Sequence, residues 1–431
     1  MTLREEDAEA HVRGVCFKTG PPERVGVELE WLVHDRADPA AAVPAKRVDE
    51  ALAGLEPRGL PGGGRLTREP GGQLELSSPP APGPVAAVAR AAADLAVLRR
   101  LMADAGLELS GQGLEPVRPV GPRVLDHPRY RAMEAYFDRS GPWGRMMMRG
   151  TASVQINLDA GDAGPGTTGY RDRWLLAHRI GPVLVAAFAN SPLWQGRPTG
   201  WRSTRQAVWA RLDPGRTLPA ARHGRFADGG DPHDTDPDPG AEWARYVLDA
   251  HLLCLRGQER APDLEWTAPP GLSFRDWLRG GVSAGNGSGR VGRPATLEDL
   301  DYHCSTLFPP VRPRGWLELR MVDAQQGDDW LAATAVAATL LDDPTAADAA
   351  REATEPLCPP GARTPDREVW LRAARLGPAD PEIGRAVRAC LAAAESALDE
   401  GGLRKAVGEF TERYAERGRC PADDRLDALT T

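Results

Sequence analysis

Six cysteines are spread along the 431-residue chain without a single CxxC pair. No metal-finger spacing is available, and free thiols in a reducing cytoplasm are the expectation. A basic excess is also lacking. The 53 Lys and Arg stand against 61 Asp and Glu, for a net charge of −8, which is the wrong sign for holding a nucleic-acid backbone. Long hydrophobic runs are absent too. The most apolar stretch, WLLAHRIGPVLVAAFA, is interrupted by His178, Arg179 and Pro182 and is too short to span a bilayer. The opening residues, MTLREEDAEA, are too acidic and polar for a secretory signal. These absences predict a soluble cytoplasmic protein with no nucleic-acid and no membrane partner. Familiar catalytic signatures are missing as well. GNGSGR at 285–290 lacks the Lys-Ser/Thr of a phosphate loop. No GxGxxG follows a strand, and none of the eight histidines sits in a nucleophile context.

What is present is a repeated alternation. VGVELEW at 25–31 sets Val25, Val27, Leu29 and Trp31 against Gly26, Glu28 and Glu30, and successive strand residues face opposite ways. QLELS at 73–77 does the same with Gln73, Glu75 and Ser77 on its polar side. ASVQINL at 152–158 presents Ser153, Gln155 and Asn157, and WLELRMV at 316–322 presents Glu318 and Arg320. One such strand is an ordinary wet-faced member of an antiparallel sheet. Together they place Glu28, Glu30, Glu75 and Glu318 beside the amides of Gln155 and Asn157, and Glu69 stands in the REPGGQ turn before the second strand. Neighbouring carboxylates on a sheet are costly unless a cation neutralises them. Two residues apart they sit roughly 7 Å from each other, close enough to flank one ion or hold two. Oxygen donors without His or Cys favour Mg2+ or Mn2+ over Zn2+, and Mg2+ commonly takes substrate phosphates into its shell. The expectation is Mg2+ held by Glu28 and Glu30, and ATP held by Mg2+.

Elsewhere the sequence predicts a PPAPGP linker at 79–84 and a helix over 85–105 stopped by Gly106. It predicts a buried helix at 174–189, loops at 231–240 and 280–294 (the latter a candidate lid), and helices at 329–351, 366–376 and 382–417. Because the strand motifs run from 25 to 322, residues 1–431 are read as one catalytic domain with a mostly helical C-terminal segment at 329–431. The stretch 190–217 interleaves Arg197, Arg202, Arg205, Arg211 and Arg216 with Trp194, Trp201 and Trp209. On a helix Arg205 and Trp209 share a face. Arginine suits bidentate capture of carboxylate or phosphate, and solvated arginines over buried tryptophans fit the pattern equally well.

GVELEW, REPGGQLELSS, TASVQINLDAG, NSPLWQGRPTGWRSTRQAVWARLD and WLELRMVDAQ, in this order across residues 25 to about 325, resemble the glutamate–cysteine ligase family of carboxylate–amine ligases. The likeness is greatest to the actinobacterial branch that opens ergothioneine synthesis. The resemblance implies an α+β, glutamine-synthetase-like fold: a curved, mainly antiparallel sheet with a polar concave face and helices packed outside. It implies ATP-dependent joining of the L-glutamate γ-carboxylate to the amine of L-cysteine, through γ-glutamyl phosphate, giving γ-glutamylcysteine, ADP and phosphate. By family position Glu28, Glu30, Glu69, Glu75 and Glu318 would ligate Mg2+ or Mn2+. Arg205 would bind glutamate, with Arg149 and Trp209 lining its pocket, and Arg320 would act with Glu318 on the transferring phosphoryl group. Gln155 and Asn157 stand where many relatives carry His-x-His, which leaves them as substrate contacts, ion contacts or neither. Alternatives are a different amine acceptor and a guanidino-kinase-like phosphotransferase. The oligomeric state is not legible.

Overall fold

The alternating segments become the middle of one antiparallel sheet. The structure is a computed structural model and describes residues 3–55, 59–221, 238–256, 266–280 and 291–429. The expected loop at 231–240 and the lid at 280–294 therefore lie largely outside the described residues. The strands are β1 (Arg24–Asp35), β2 (Arg65–Arg68), β3 (Leu74–Ser77), β4 (Ala81–Pro82), β5 (Leu107–Ser110), β6 (Ser153–Asp159), β7 (Leu193–Trp194), β8 (Arg197–Pro198), β9 (Val311–Pro313) and β10 (Trp316–Asp323). The sheet order is β2-β3-β1-β6-β10-β9, with β4 and β5 also paired to β1, while β7 and β8 form a separate hairpin. β1 is the hub because its 12 residues are long enough to pair with β3, β4, β5 and β6.

The apolar side of these strands is the core. Val25, Val27, Leu29, Leu74, Leu76, Val154, Ile156, Leu158, Leu317 and Leu319 are all buried. The helices Gly83–Asp104, Tyr170–Ala187 and Asp329–Asp342 pack on this layer. Each contributes small and aliphatic side chains, so burial of apolar area fixes which sheet face stays free. The first of these helices stops where Gly106 adopts φ +68°, as expected of a left-handed cap.

Three expectations change in detail. The 79–84 linker contains β4, whose Ala81 and Pro82 pair with Val25 and Arg24; proline is tolerated there because the strand is only two residues long. The 329–351 helix is two helices, Asp329–Asp342 and Pro344–Thr354. Asp343 caps the second by accepting from Ala346 N at 2.8 Å, and Pro344 occupies its first turn. The 382–417 helix is likewise interrupted between Ala397 and Gly402. Among the described residues no helix is long and apolar enough to cross a membrane.

Candidate active site

Strand register gathers the acidic residues. Glu30 of β1 lies opposite Glu75 of β3, Glu28 opposite Gln155 of β6, and Glu318 of β10 opposite Asn157. The tight turn between β2 and β3 adds Glu69, whose carbonyl accepts from Gly72 N at 2.9 Å. Gly72 takes φ +93°, a conformation natural to glycine. Gly71 lies so close to the backbone of Arg149 that a Cβ would overlap it. The turn is thereby clamped to the end of the helix Trp143–Gly150.

The polar face holds two cavities in line. The larger, of about 530 Å3, is walled by Glu28, Glu30, Glu69, Glu75, Gln155, Arg205, Trp209, Arg312 and Arg320. The second, of about 500 Å3, lies toward the start of β1 and takes in Lys18, Arg24, Gly26, Glu28, Asn157, Asp159 and Trp316. Glu28 belongs to both.

The larger cavity is electrostatically divided. Burial, reinforced by the charges of Glu318 and Glu75, pushes Glu28 up to about 7. Burial and Glu75 raise Glu30. Burial, Glu30 and Glu75 raise Glu69 well above the usual carboxylate range. Glu318 goes the other way: burial would raise it, but Arg312 and Arg320 pull it down to about 2. The amides hold the set in place. Gln155 Nε2 donates to Glu30 at 2.8 Å, and its oxygen accepts from Arg320 at 2.5 Å. Asn157 donates to Glu28 at 3.1 Å and accepts from the Trp316 indole at 3.0 Å. Both thus orient charged neighbours, a role their sequence position did not specify.

A bulge aims Arg320. Leu319 pairs with Ile156, but Val322 pairs with Val154, so β10 spends one extra residue there. The carbonyls this frees are capped from the helix Thr204–Trp209. Arg205 donates to Arg320 O at 2.8 Å, and Gln206 donates to Met321 O at 2.8 Å. As the shared-face argument requires, the Arg205 guanidinium lies over the Trp209 ring at 5.8 Å. Two buried donors at the cavity, Arg320 Nε and Trp209 Nε1, have no acceptor among the described residues.

Two expectations need correction. Arg149 does not reach the cavity. Its guanidinium is committed to Glu134 and to Gly121 O at 3.1 Å, because the helix Pro128–Phe137 places Glu134 beside it. Arg149→Ala should therefore lower stability by about 2 kcal/mol, the worth of hydrogen bonds to a charged group. Thermal melting would register the loss, and ligand affinity would not change. Glu318 does not line the cavity either. Its oxygens are held in a fork by Arg312 at 2.8 Å and are also bound by Arg320, so it anchors two arginines that do line it.

Arg312 and Arg314 escaped notice in the sequence because Pro313 disguises a three-residue strand. The roof escaped too. Arg129, Tyr130 and Met133 come from Pro128–Phe137, Met147 and Met148 from Trp143–Gly150, and Tyr302 from Leu297–Cys304. These helices are only 8 to 10 residues long, too short for a helical period to stand out in the sequence.

The donor set fits a hard divalent ion. It offers four carboxylates and no His or Cys, and burial among like charges raises Glu28, Glu30 and Glu69, as expected where a counter-charge is lacking. Among the described residues no three such groups converge into a ready-made cage. An open acidic wall of this kind suits an ion that keeps water or phosphate ligands.

A family model described as glutamate–cysteine ligase family 2 matches residues 24–430, well beyond the 25–325 span of the recognisable motifs. A glutamate–cysteine ligase EgtA from Mycolicibacterium smegmatis is 41% identical over 427 residues, covering 98% of this chain and 91% of that protein. Its counterpart from Mycobacterium tuberculosis is 40% identical over 430 residues, covering 98% and 90%. A chloroplastic glutamate–cysteine ligase from Nicotiana tabacum is 28% identical over 346 residues, covering 76% and 60%. A solved glutamate–cysteine ligase from Francisella tularensis, in complex with AMP, aligns with TM-score 0.48 and 11% identity over 96% of this chain and 86% of that one.

Proposed function

The chain belongs to glutamate–cysteine ligase family 2, and from that premise we propose that it joins L-glutamate to L-cysteine at the expense of ATP. The observation that carries the reading is the position of Glu28 in the common wall of two cavities, with the unpartnered Nε of Arg320 close by. The smaller cavity takes the base and ribose, with Trp316 as a stacking surface and Lys18 and Arg24 as cations. The triphosphate then reaches past Glu28 into the larger cavity, where glutamate waits. Its γ-carboxylate oxygen attacks the γ-phosphorus and ADP departs. The cysteine amine next attacks the acyl carbon, a C–N bond forms, and phosphate and a proton are released. Arg320 donates to the transferring phosphoryl oxygens, and Arg205 and Trp209 hold glutamate. This is catalysis by positioning and charge compensation.

Glu28, Glu30, Glu69 and Glu75 would hold Mg2+ (or Mn2+), while Glu318 stays bound to Arg312 and Arg320. The ion supplies charge neutralisation at the phosphates. Because a proton on Glu28, raised to about 7, competes with an ion for the same carboxylate, ion binding weakens as pH falls. The ion-free protein behaves in the opposite sense. Groups raised above their ordinary 4.5 favour the folded state at low pH and lose that contribution as pH rises through about 7. The gap between melting temperatures in Mg2+ and in EDTA should accordingly widen from pH 6 to pH 8. A gap independent of pH would remove these carboxylates from the ion site.

A cytoplasmic setting, where ATP and reduced cysteine coexist, follows from the same reading, and the six unbonded thiols support it. The likeness to the EgtA enzymes supports a place at the opening of ergothioneine synthesis. The deciding experiment supplies purified protein with Mg2+-ATP, glutamate and either cysteine or other amines, measuring ADP and product mass together. Cysteine-dependent ADP release with γ-glutamylcysteine is the expected result. ADP release only with another amine would replace the acceptor, and ADP release without any amide would replace the reaction.

A further inference from the structure

Arg205, which holds glutamate in the ligase reading above, is itself held by a carboxylate outside both cavities. Asp323 closes β10, is 2% exposed, and walls neither cavity. Four donors converge on its oxygens. Asn190 N and Ser191 Oγ lie 2.9 and 2.7 Å from Oδ2, Ser203 Oγ lies 2.9 Å from Oδ1, and the Arg205 guanidinium lies 3.7 Å from Oδ1. Burial raises Asp323 above the ordinary aspartate value, and Arg205 and these donors oppose the rise. Each hydroxyl donates to the carboxylate and accepts from the helix Thr204–Trp209. Ser191 Oγ takes the N–H of Arg205 at 3.1 Å, and Ser203 Oγ takes the N–H of Gln206 at 3.2 Å, which makes Ser203 the helix cap. Gly113 closes the back of the carboxylate, where a Cβ would lie 2.5 Å from the Asp323 carboxyl carbon. Asp323 therefore has no room to swing away.

We propose that Asp323 is a positioning residue for glutamate: directly and through the hydroxyls of Ser191 and Ser203, it fixes where Arg205 stands relative to Arg320. Three observations carry this. The carboxylate grips Arg205 twice, at the guanidinium and, by way of Ser191, at the backbone. The helix bearing Arg205 and Trp209 is six residues long, too short to hold its direction unaided, so the ties at its first turn set it. Asp323 also shares β10 with Arg320, whose carbonyl accepts from Arg205 at 2.8 Å, so one strand end registers both arginines. A displacement of about 1 Å at such a contact can cost about a hundredfold. Glutamate is gripped in the ground state and in the transition state alike, so a misplaced Arg205 raises the glutamate KM and spares kcat. The smaller cavity, which takes the base and ribose, contains none of Ser191, Ser203, Arg205 and Asp323, so the KM for ATP stays put.

The test is steady-state kinetics of the full chain with Mg2+-ATP, glutamate and cysteine, on the native sequence and on Asp323→Asn, Ser191→Ala and Ser203→Ala. Circular dichroism melts on the same preparations show which variants fold. Asp323→Asn keeps the shape of the side chain but turns an NH2 group toward donors that had an oxygen. It should raise the glutamate KM about tenfold or more, with kcat and the KM for ATP within about threefold of native. Ser203→Ala and Ser191→Ala each remove one link and no charge. They should raise the glutamate KM about threefold or more, and they decide the question should Asp323→Asn not fold. In an Arg205→Ala background, Asp323→Asn should change kcat/KM for glutamate by less than about twofold, because the residue it acts through is gone. A carboxylate with a merely structural role would lower kcat, raise both KM values together and add its effect to that of Arg205→Ala. Any of those results, or an unchanged glutamate KM in every folded variant, would overturn the proposal. A native protein that makes no γ-glutamyl product with any amine would instead overturn the ligase reading, and this inference with it.

Discussion

Glu28→Gln should melt at or above the temperature of the native chain and consume almost no ATP. Both halves follow from the same charge. In the folded protein the Glu28 carboxylate is buried and repelled by Glu318 and Glu75, which lifts it to about 7. A neutral amide escapes both penalties and can still accept from Asn157, as Glu28 does at 3.1 Å, so stability holds or rises. Function loses the one carboxylate that, among the described residues, lines both cavities. Removal of a single preorganised charge-stabilising group typically costs about a hundredfold to a thousandfold in kcat, and Glu28 should lie at the upper end. Stability gained while activity is lost is the mark of a residue kept for its work rather than for folding. Circular dichroism melts and a coupled ADP assay on one preparation would read both. Turnover within about tenfold of the native rate would remove Glu28 from the reaction.

Arg320→Gln should fail differently. Arg320 is the cation on which Glu318, Glu28 and Glu30 all lean, and their charges raise it against the opposing effect of burial. Its Nε has no acceptor among the described residues, although its Nη1 serves both Gln155 and Glu318. A donor left unpaired in the resting protein is free to bind charge that develops only as the phosphoryl group moves. The expected loss is therefore in kcat, by about a hundredfold to a thousandfold, with the KM for ATP changed little. Arg320→Lys should recover part of the loss, because the charge returns but the planar fork does not. If Arg320→Gln raised KM and left kcat alone, Arg320 would be a ground-state ligand and the assignment would be wrong.

How far the sequence could be read depended on where periodicity survives. β1, β3, β6 and β10 each turn one face to the apolar core and the other to the cavities or to the arginines that line them, so a period of two stays visible through Glu28, Glu75, Gln155 and Glu318. The acidic side of the site was legible for that reason. β9 is three residues long and ends in Pro313, and the run Met146–Met148 is buried on every side; neither has a pattern to betray it. Arg149 misled for another reason. It sits three residues before the alternating segment that opens at Ala152, and only the packing of a separate helix decides that Glu134, not a substrate, receives it. The helix breaks at Pro344 and Gly402 were visible as residues, but the alanine-rich runs on either side concealed them.

The clamp at Gly71 has a consequence for how this site can change over time. Glu69 belongs to the acidic wall, while Met147 and Met148 belong to the roof, yet the turn carrying the first is seated directly on the helix end that follows the second pair. A side chain gained at position 71 would touch no ligand, but it would push wall and roof apart. Variation there is judged by its effect on both together. The position should drift as little as the carboxylates themselves.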